Sequence, residues 1–467
     1  MTPAETGVLF RNAEVAGLGR TDVRVAGAGI AETGRDLARG KGERVVDCRG
    51  AALIPGLWDH HLHLHAIWAW RRSVPCGPPS VGGRSALAAA LDAATPDESG
   101  WVRGVGYVES VAGDLGAAAL DALRADVPVR IQHRSGALWM LNSAAVRQAG
   151  LASGGPPGIE RDARGNPTGR LWRADSWLRE RLPPARPADL SGVGWELARL
   201  GITGVTDATP DLTPEAIASI EAGGLPQRVH LLGSPLGSPQ GPNPRVTTGP
   251  YKIVLADSGL PGLDDLAARI RAAHDGGRAV AAHCVTREAL LLLLAAFAEA
   301  GARDGDRVEH AALVPPDVVD RLISLGLRVV TQPGFIADRG DDYLRDVPAD
   351  DRDDLYRCRR LMGAGVPVAL SSDAPYGPLD PWLVMDAAVR RRTRSGAAVG
   401  PDESIPASAA LRSYLSAPDD PGGSPRRVRQ GARADLVLLH TPLDEALRSR
   451  DAGAVRHTMI AGRIIDP

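Results

Sequence analysis

The sequence predicts an α/β fold: a TIM-like (β/α)8 barrel with a discontinuous small β-sandwich formed by the N- and C-terminal segments. Three observations carry this expectation. Short apolar runs recur through the middle of the 467-residue chain, most of them followed by a helical pattern. Both ends of the chain read instead as short β-runs separated by glycine turns. The residues with the strongest chemistry gather at one common end of the central apolar runs, the end where such a barrel carries its function.

Taken in order, the N-terminal β-runs fall at 7–15, 22–26 and 43–47. Apolar strand candidates follow at 53–58, 202–207, 228–232, 252–256, 278–283, 307–310, 327–331 and 367–372. Periodic apolar spacing predicts helices at 263–273, 287–300 and 316–325. Eight strands with intervening helices are the arithmetic of the barrel. The interval between the first two strands is far too long for a connecting loop. It holds helical stretches at 85–94, 115–124 and 143–150 and a Gly/Pro-rich segment at 154–169, and reads as an inserted cap. Residues 417–427 read as a linker, after which runs at 434–439 and 458–465 return to pair with the N-terminal ones. The expected division is 1–52 for the first part of the sandwich, 53–66 for the first barrel strand, and 67–200 for the insertion. The remainder of the barrel takes 201–416, and linker and sandwich take 417–467.

Composition narrows the function. A net charge of −2 with no basic block argues against nucleic acid and anionic membrane as partners. The longest apolar run, 289–298, is too short to cross a bilayer. Residues 1–6 lack the basic and apolar regions of a leader, and Cys48, Cys76, Cys284 and Cys358 are scattered without a paired spacing. A cytoplasmic location is expected, and a homodimer is compatible with this composition.

The densest chemical signal is Pro55-Gly56-Leu57-Trp58-Asp59-His60-His61-Leu62-His63-Leu64-His65, which holds four of the eleven histidines. Alternation along a strand places Asp59, His61 and His63 on one face, and two imidazoles at one strand end can hold a divalent metal. His60 alternates to the opposite face and reads as structural, and His65 lies beyond the site. Among 54 basic residues only Lys41 and Lys252 are lysines, and Lys252 lies inside the apolar run Tyr251-Lys252-Ile253-Val254-Leu255. Arginine stays protonated, whereas a buried lysine can lose its proton and act as a nucleophile; the alternative is a surviving lysine with its stem on apolar surface. His283, His310 and Asp373 close or follow three further strand candidates at the same end. Tryptophans cluster early, eight of nine before residue 196, as an insertion core or as an aromatic wall for substrate.

In order, these segments resemble the signature of the amidohydrolase superfamily: PG-x-x-D-x-H-x-H, a strand-borne lysine, then His, His and Asp. Within it the chain is most similar to the amidohydrolase-3, or YtcJ-like, group. The segments 101–107, 141–145, 201–207 and 307–311, with Gln332-Pro333 and Ser372-Asp373-Ala374-Pro375, look like that group's landmarks. The resemblance implies two divalent metal ions, commonly zinc: His61, His63 and Asp373 on one, His283 and His310 on the other. A CO2-derived carbamate on Lys252 would bridge them. It further implies attack of a metal-bridging hydroxide on a carbonyl, with Asp373 as the catalytic acid and base. The implied reaction is cleavage of a non-peptide C–N bond, in an N-acyl or N-formyl amine or a cyclic amide. His133 matches a substrate-pocket position of the group loosely.

The chain departs from the group at Asp257-Ser258-Gly259, where a longer loop is common, and at 169–173, where an arginine replaces a frequent glutamate. A mononuclear aminohydrolase (deaminase) is the first alternative, although Thr286 stands where that branch carries a glutamate. An ester or phosphotriester hydrolase with the same two-metal site is the second, and a non-enzymatic descendant, which a broken metal set would mark, is the third.

Overall fold

The computed structural model describes residues 7–183, 188–256 and 259–465. Asp257 and Ser258 lie outside these residues, as does the segment 1–6. The chain divides into two compact units, Met1–Leu64 with Asp189–Pro467, and His65–Ala188.

The first unit is built on parallel strands. One sheet runs Val246–Thr248, Arg228–Leu231, Ile202–Asp207, Leu57–Leu62, and the other runs Tyr251–Val254, Val280–Cys284, Arg307–His310, Arg328–Thr331, Val368–Leu370. Backbone hydrogen bonds bridge the two sheets on both sides, one of them to the residue after Arg228–Leu231 rather than to the outer strand Val246–Thr248. The Lys252 N–H donates to the Leu232 carbonyl at 3.1 Å, and the Asp373 N–H to the His61 carbonyl at 2.8 Å. Strands covered on both faces read as continuous apolar runs rather than alternating ones, which is why they were visible in the sequence. Val246–Thr248 is an additional three-residue strand with no such run.

Helices Leu263–Asp275 and Arg287–Ala300 show why the local sequence folds as it does. Leu266 and Ile270 on the first, and Leu290, Leu293, Leu294 and Phe297 on the second, recur at helical spacing. They share one apolar core with Ile253, Val280, Val308 and Val329 of the strands. Thr286 starts the second helix, its hydroxyl accepting the Ala289 N–H at 3.3 Å. The position that would carry a deaminase glutamate is therefore occupied by a helix cap.

The chain ends form two further sheets in this unit. One has the order Gly29–Gly34, Gly19–Ala26, Val8–Val15, Arg44–Asp47; the other has Arg463–Ile465, Val455–Ile460, Leu436–Leu439, Leu53–Pro55. Phe10, Val23, Leu53, Leu436 and Met459 bury into one apolar cluster drawn from both. The run at 53–58 is thus two strands. Leu53–Pro55 pairs antiparallel with Leu436–Leu439, and the parallel strand begins at Leu57. Pro55 lacks an N–H for further ladder pairing, and at Gly56 a side chain would collide with Thr203, so the chain changes sheets there.

The second unit carries a six-stranded sheet, ordered Ile159–Arg161, Pro167–Trp172, Leu138–Leu141, Val129–His133, Val102–Tyr107, Val74–Pro75. The sequence showed only its helices, because strands of two to six residues carry little periodicity. Trp101 and Trp139 are core residues here, whereas Trp68 and Trp70 are only half-buried. Among the described residues no helix is long and apolar enough to cross a membrane.

Candidate metal centre

Leu57–Leu62 is buried along its whole length and delivers His61 at its end, with His63 just beyond it. Pairing with Ile202–Asp207 runs from Asp59 opposite Val205 to Leu62 opposite Asp207, so a bulge falls between them. The bulge breaks the simple alternation read from sequence. Asp59 does not join His61 and His63. Its fully buried carboxylate accepts the backbone N–H of His61 at 3.0 Å and of Ser372 at 3.3 Å, tying the histidine strand to the loop that carries Asp373. Burial raises this carboxyl to about 7, against the opposing effect of those hydrogen bonds.

His61, His63 and Asp373 converge. One donor atom from each lies within 4.8 Å of the others. Asp373 Oδ1 is 3.2 Å from His63 Nε2 and 3.6 Å from His61 Nε2, yet it makes no hydrogen bond. Ligands at about 2.1 Å around a tetrahedral ion are separated by about 3.4 Å. Those two separations suit atoms that share a cation, and the residues present fit a divalent metal.

The far nitrogens of the rings are fixed by neighbours that sequence reasoning missed. His61 Nδ1 bonds Glu309 Oε2, His63 Nδ1 bonds Thr209 Oγ1 at 3.1 Å, and His310 Nδ1 bonds Gln332 Oε1 at 2.8 Å. The Gln332 amide nitrogen donates onward to Ser371 Oγ at 2.9 Å and to the Val330 carbonyl at 3.4 Å, and the carbonyl, which can only accept, sets its orientation. With a proton on each Nδ1, the Nε2 lone pairs are free to ligate, the usual arrangement behind a metal-bound imidazole. Burial also holds His61 and His310 far below the ordinary imidazole range, so both are neutral and able to ligate. Glu309 is itself fully buried and accepts from Arg307 Nε at 2.6 Å. Its signal was present in Arg307-Val308-Glu309-His310, but nothing in one strand shows that Glu309 meets His61 across the fold.

The remaining expected residues lie beside this group. The His310 ring centroid is 4.8 Å from that of His61 and 4.5 Å from that of His283. Lys252 is buried, its Nζ has no hydrogen-bond partner among the described residues, and burial lowers its pKa. His310 (φ 68°), Ala311 (φ 44°) and Asp373 (φ 53°) hold left-handed backbone that L-residues adopt at a cost of roughly 1–2 kcal/mol each, a concentration of strain of the kind found at functional sites. His133 belongs to the second unit, where Ser135 Oγ lies 2.8 Å from its Nδ1 and Glu109 Oε2 lies 3.2 Å from its Nε2.

Comparison with known proteins bears on this geometry directly. A model of the amidohydrolase family matches residues 44–466. The chain belongs to the amidohydrolase family. It is an enzyme, a metal-dependent hydrolase of carbon–nitrogen bonds other than peptide bonds. It is 26% identical to an N-substituted formamide deformylase of Arthrobacter pascens, over 95% of this chain and 93% of that one. YtcJ of Bacillus subtilis (strain 168) is 25% identical, over 84% of this chain and 85% of its own, in line with the YtcJ-like resemblance of the motifs. Among solved structures, an uncharacterized metal-dependent hydrolase from Pyrococcus horikoshii superposes with a TM-score of 0.73 at 21% identity, covering 98% of this chain and all of that one. The fold is α/β and matches amidohydrolase structures of the TIM-barrel type.

Proposed function

We propose that this amidohydrolase cleaves the C–N bond of a small N-acyl or N-formyl amine, or of a cyclic amide, at a centre for two divalent ions. The observation that carries the reading is the convergence of one donor atom each from His61, His63 and Asp373 within 4.8 Å of one another, with Asp373 Oδ1 3.2 Å from His63 Nε2 and 3.6 Å from His61 Nε2. His61, His63 and Asp373 would hold one ion, His283 and His310 the other, with Lys252 as a carbamate between them. The unpartnered Lys252 Nζ and its lowered pKa favour the neutral amine that adds CO2. Zinc is the expected metal, given the nitrogen-rich donor set. The two parallel sheets, bridged by a backbone hydrogen bond on each side, are read as one closed (β/α)8 barrel, the terminal sheets as a sandwich, and 67–200 as an insertion. Four free, buried cysteines favour a reducing, cytoplasmic setting.

Bound ions would supply Lewis acidity and an activated water. The chain's residues do the rest. Asp373, with Oδ1 unpartnered and Oδ2 3.9 Å from His310 Nδ1, takes the water's proton and passes it to the leaving nitrogen as the C–N bond breaks. Glu309, Thr209 and Gln332 keep the imidazoles in the ligating tautomer. Similarity to an N-substituted formamide deformylase along nearly the full length of both chains supports a formamide as the first substrate to test.

Chelator-treated protein is expected to lose hydrolysis of N-substituted formamides and to regain it with Zn2+ or Mn2+; full activity in metal-free protein would end the reading. His283→Ala is expected to keep one equivalent of metal and lose the other. Elemental mass spectrometry reads this directly, and an unchanged metal content would remove His283 from the ligand set.

A further inference from the structure

A second group of buried polar atoms extends from Lys252 toward the strand starts, away from His283 and His310. Lys252 pairs with Ala281 and Ala281 with Arg307, and paired residues leave a sheet on the same face. Their neighbours Ile253, Val280, Ala282 and Val308 belong to the helix-packed core, so Lys252, Ala281 and Arg307 point the other way, between the two parallel sheets. Residues of the expected linker close that end. Arg307 Nη1 donates to the Pro418 carbonyl at 3.5 Å, Arg328 pairs with Asp420, and a side chain at Gly422 would collide with the backbone of Val368.

Arg307 Nη2, His60 Nδ1 and His230 Nε2 have no hydrogen-bond partner among the described residues. All three side chains are buried, His230 being the most exposed of them at 6%. Arg307 is the charge that acts most strongly on both histidines, and His230 also acts on His60, so the three share one interior space. Their surroundings fix what each offers. Ser416 Oγ accepts the Gly422 N–H at 3.0 Å and gives its own proton to His60 Nε2 at 3.1 Å, so the His60 ring carries its proton on Nδ1. Thr247 Oγ1 gives its proton to the Val229 carbonyl at 3.4 Å and accepts from His230 Nδ1 at 2.9 Å, which leaves His230 Nε2 a bare lone pair. Burial holds His60 well below the ordinary imidazole range and pushes His230 down to about 3, so both rings are neutral. The space is lined by a guanidinium donor, an imidazole donor and an imidazole acceptor.

Charge selects the occupant. Arg307 shares Glu309 with His61, and Arg426, whose hydrogen bonds go to the carbonyls of Leu415 and Gly56, also acts on His60. Asp435 acts on Arg426 but is itself paired with Arg433. Two guanidiniums thus face one carboxylate, and uncompensated buried charge is costly. Chloride or a fully ionised oxyanion brings negative charge but no proton for His230 Nε2; water brings the proton but no charge. Bicarbonate brings both, in two oxygens that accept and one O–H that donates.

We propose that Arg307, His60 and His230 form a binding site for bicarbonate, distinct from the Lys252 carbamate. The site lies between the two parallel sheets, so the inference rests on their reading as one barrel. Two bicarbonate oxygens accept from Arg307 Nη2 and His60 Nδ1, and the hydroxyl donates to His230 Nε2.

Metal-loaded protein equilibrated with 13C-labelled bicarbonate is desalted rapidly and denatured in acid, which frees carbon from carbamate and bicarbonate alike. Mass spectrometry then counts the labelled CO2 per chain. Wild-type protein is expected to release two equivalents. Lys252→Met, which cannot form a carbamate, is expected to release one, and to lose that one when His230→Leu or, independently, His60→Leu is added. Thermal unfolding in bicarbonate and in chloride at equal ionic strength reads an occupant that desalting removes. Bicarbonate is expected to raise the midpoint of Lys252→Met and of neither double variant. No release from Lys252→Met together with no bicarbonate-specific rise, the result for water alone, overturns the site, as does a release or rise that survives both histidine substitutions. One equivalent from wild type and from Lys252→Met alike retains the bicarbonate site and overturns the carbamate alone.

Discussion

Lys252→Arg is expected to abolish turnover, by at least about 10³-fold in kcat, while the protein remains folded by circular dichroism. The substitution keeps the charge that an ordinary buried lysine would carry and removes only the ability to become a neutral amine. In the structure Lys252 is buried, its Nζ meets no hydrogen-bond acceptor, and burial pushes it toward the neutral form. A neutral amine adds CO2 and, on losing a proton, becomes a carbamate anion that would offer its oxygens to the ions; a guanidinium cannot. Metal content should fall with activity, since the substitution replaces a bridging anion with a cation in the same place. Wild-type protein prepared in isotopically labelled bicarbonate should show a carbamate carbon by NMR that Lys252→Arg lacks. Turnover by the variant at the wild-type rate would sink the carbamate assignment.

Glu309→Gln is expected to weaken metal binding by about 10- to 100-fold, the usual cost of losing the carboxylate behind a ligating histidine. Glutamine keeps the shape but removes the charge that holds the proton on His61 Nδ1. Glu309 also neutralises Arg307, and both side chains are fully buried, so a purely structural role is the competing account. The two separate cleanly. Glu309→Leu leaves the Arg307 guanidinium buried and unpaired, at an expected cost of about 3–5 kcal/mol in stability. The double variant Glu309→Leu with Arg307→Met removes both charges and should recover most of that stability. If Glu309 positions His61, the double variant stays deficient in metal affinity, measured by competition with a chelator. If metal affinity returns with stability, Glu309 is only the partner of Arg307.

Much of this protein was legible along the chain because its parallel strands are covered on both faces. Apolar runs at 202–207 and 307–310 coincide with strands Ile202–Asp207 and Arg307–His310, and the run of leucines coincides with helix Arg287–Ala300. Elements whose signal is weaker per residue were not visible, above all the six-stranded sheet of the second unit. The strand at 53–58 was misread for a different reason. Its residues are apolar throughout, and only pairing partners show that Leu53–Pro55 and Leu57–Leu62 serve different sheets.

The sequence by itself determined the chemical inventory: histidines and an aspartate that close or follow apolar strands, a lysine inside another, and the family signature they spell. Only the tertiary structure decided how those groups are held. Glu309 meets His61 across 248 residues, and Thr209 meets His63 across 146. Asp59, which alternation placed with the ligands, instead binds the backbone of Ser372, 313 residues away. Strand periodicity reports which face a side chain leaves from. Which donor it meets depends on bulges and on the register of strands distant in the chain, and those are set by packing of the whole sheet.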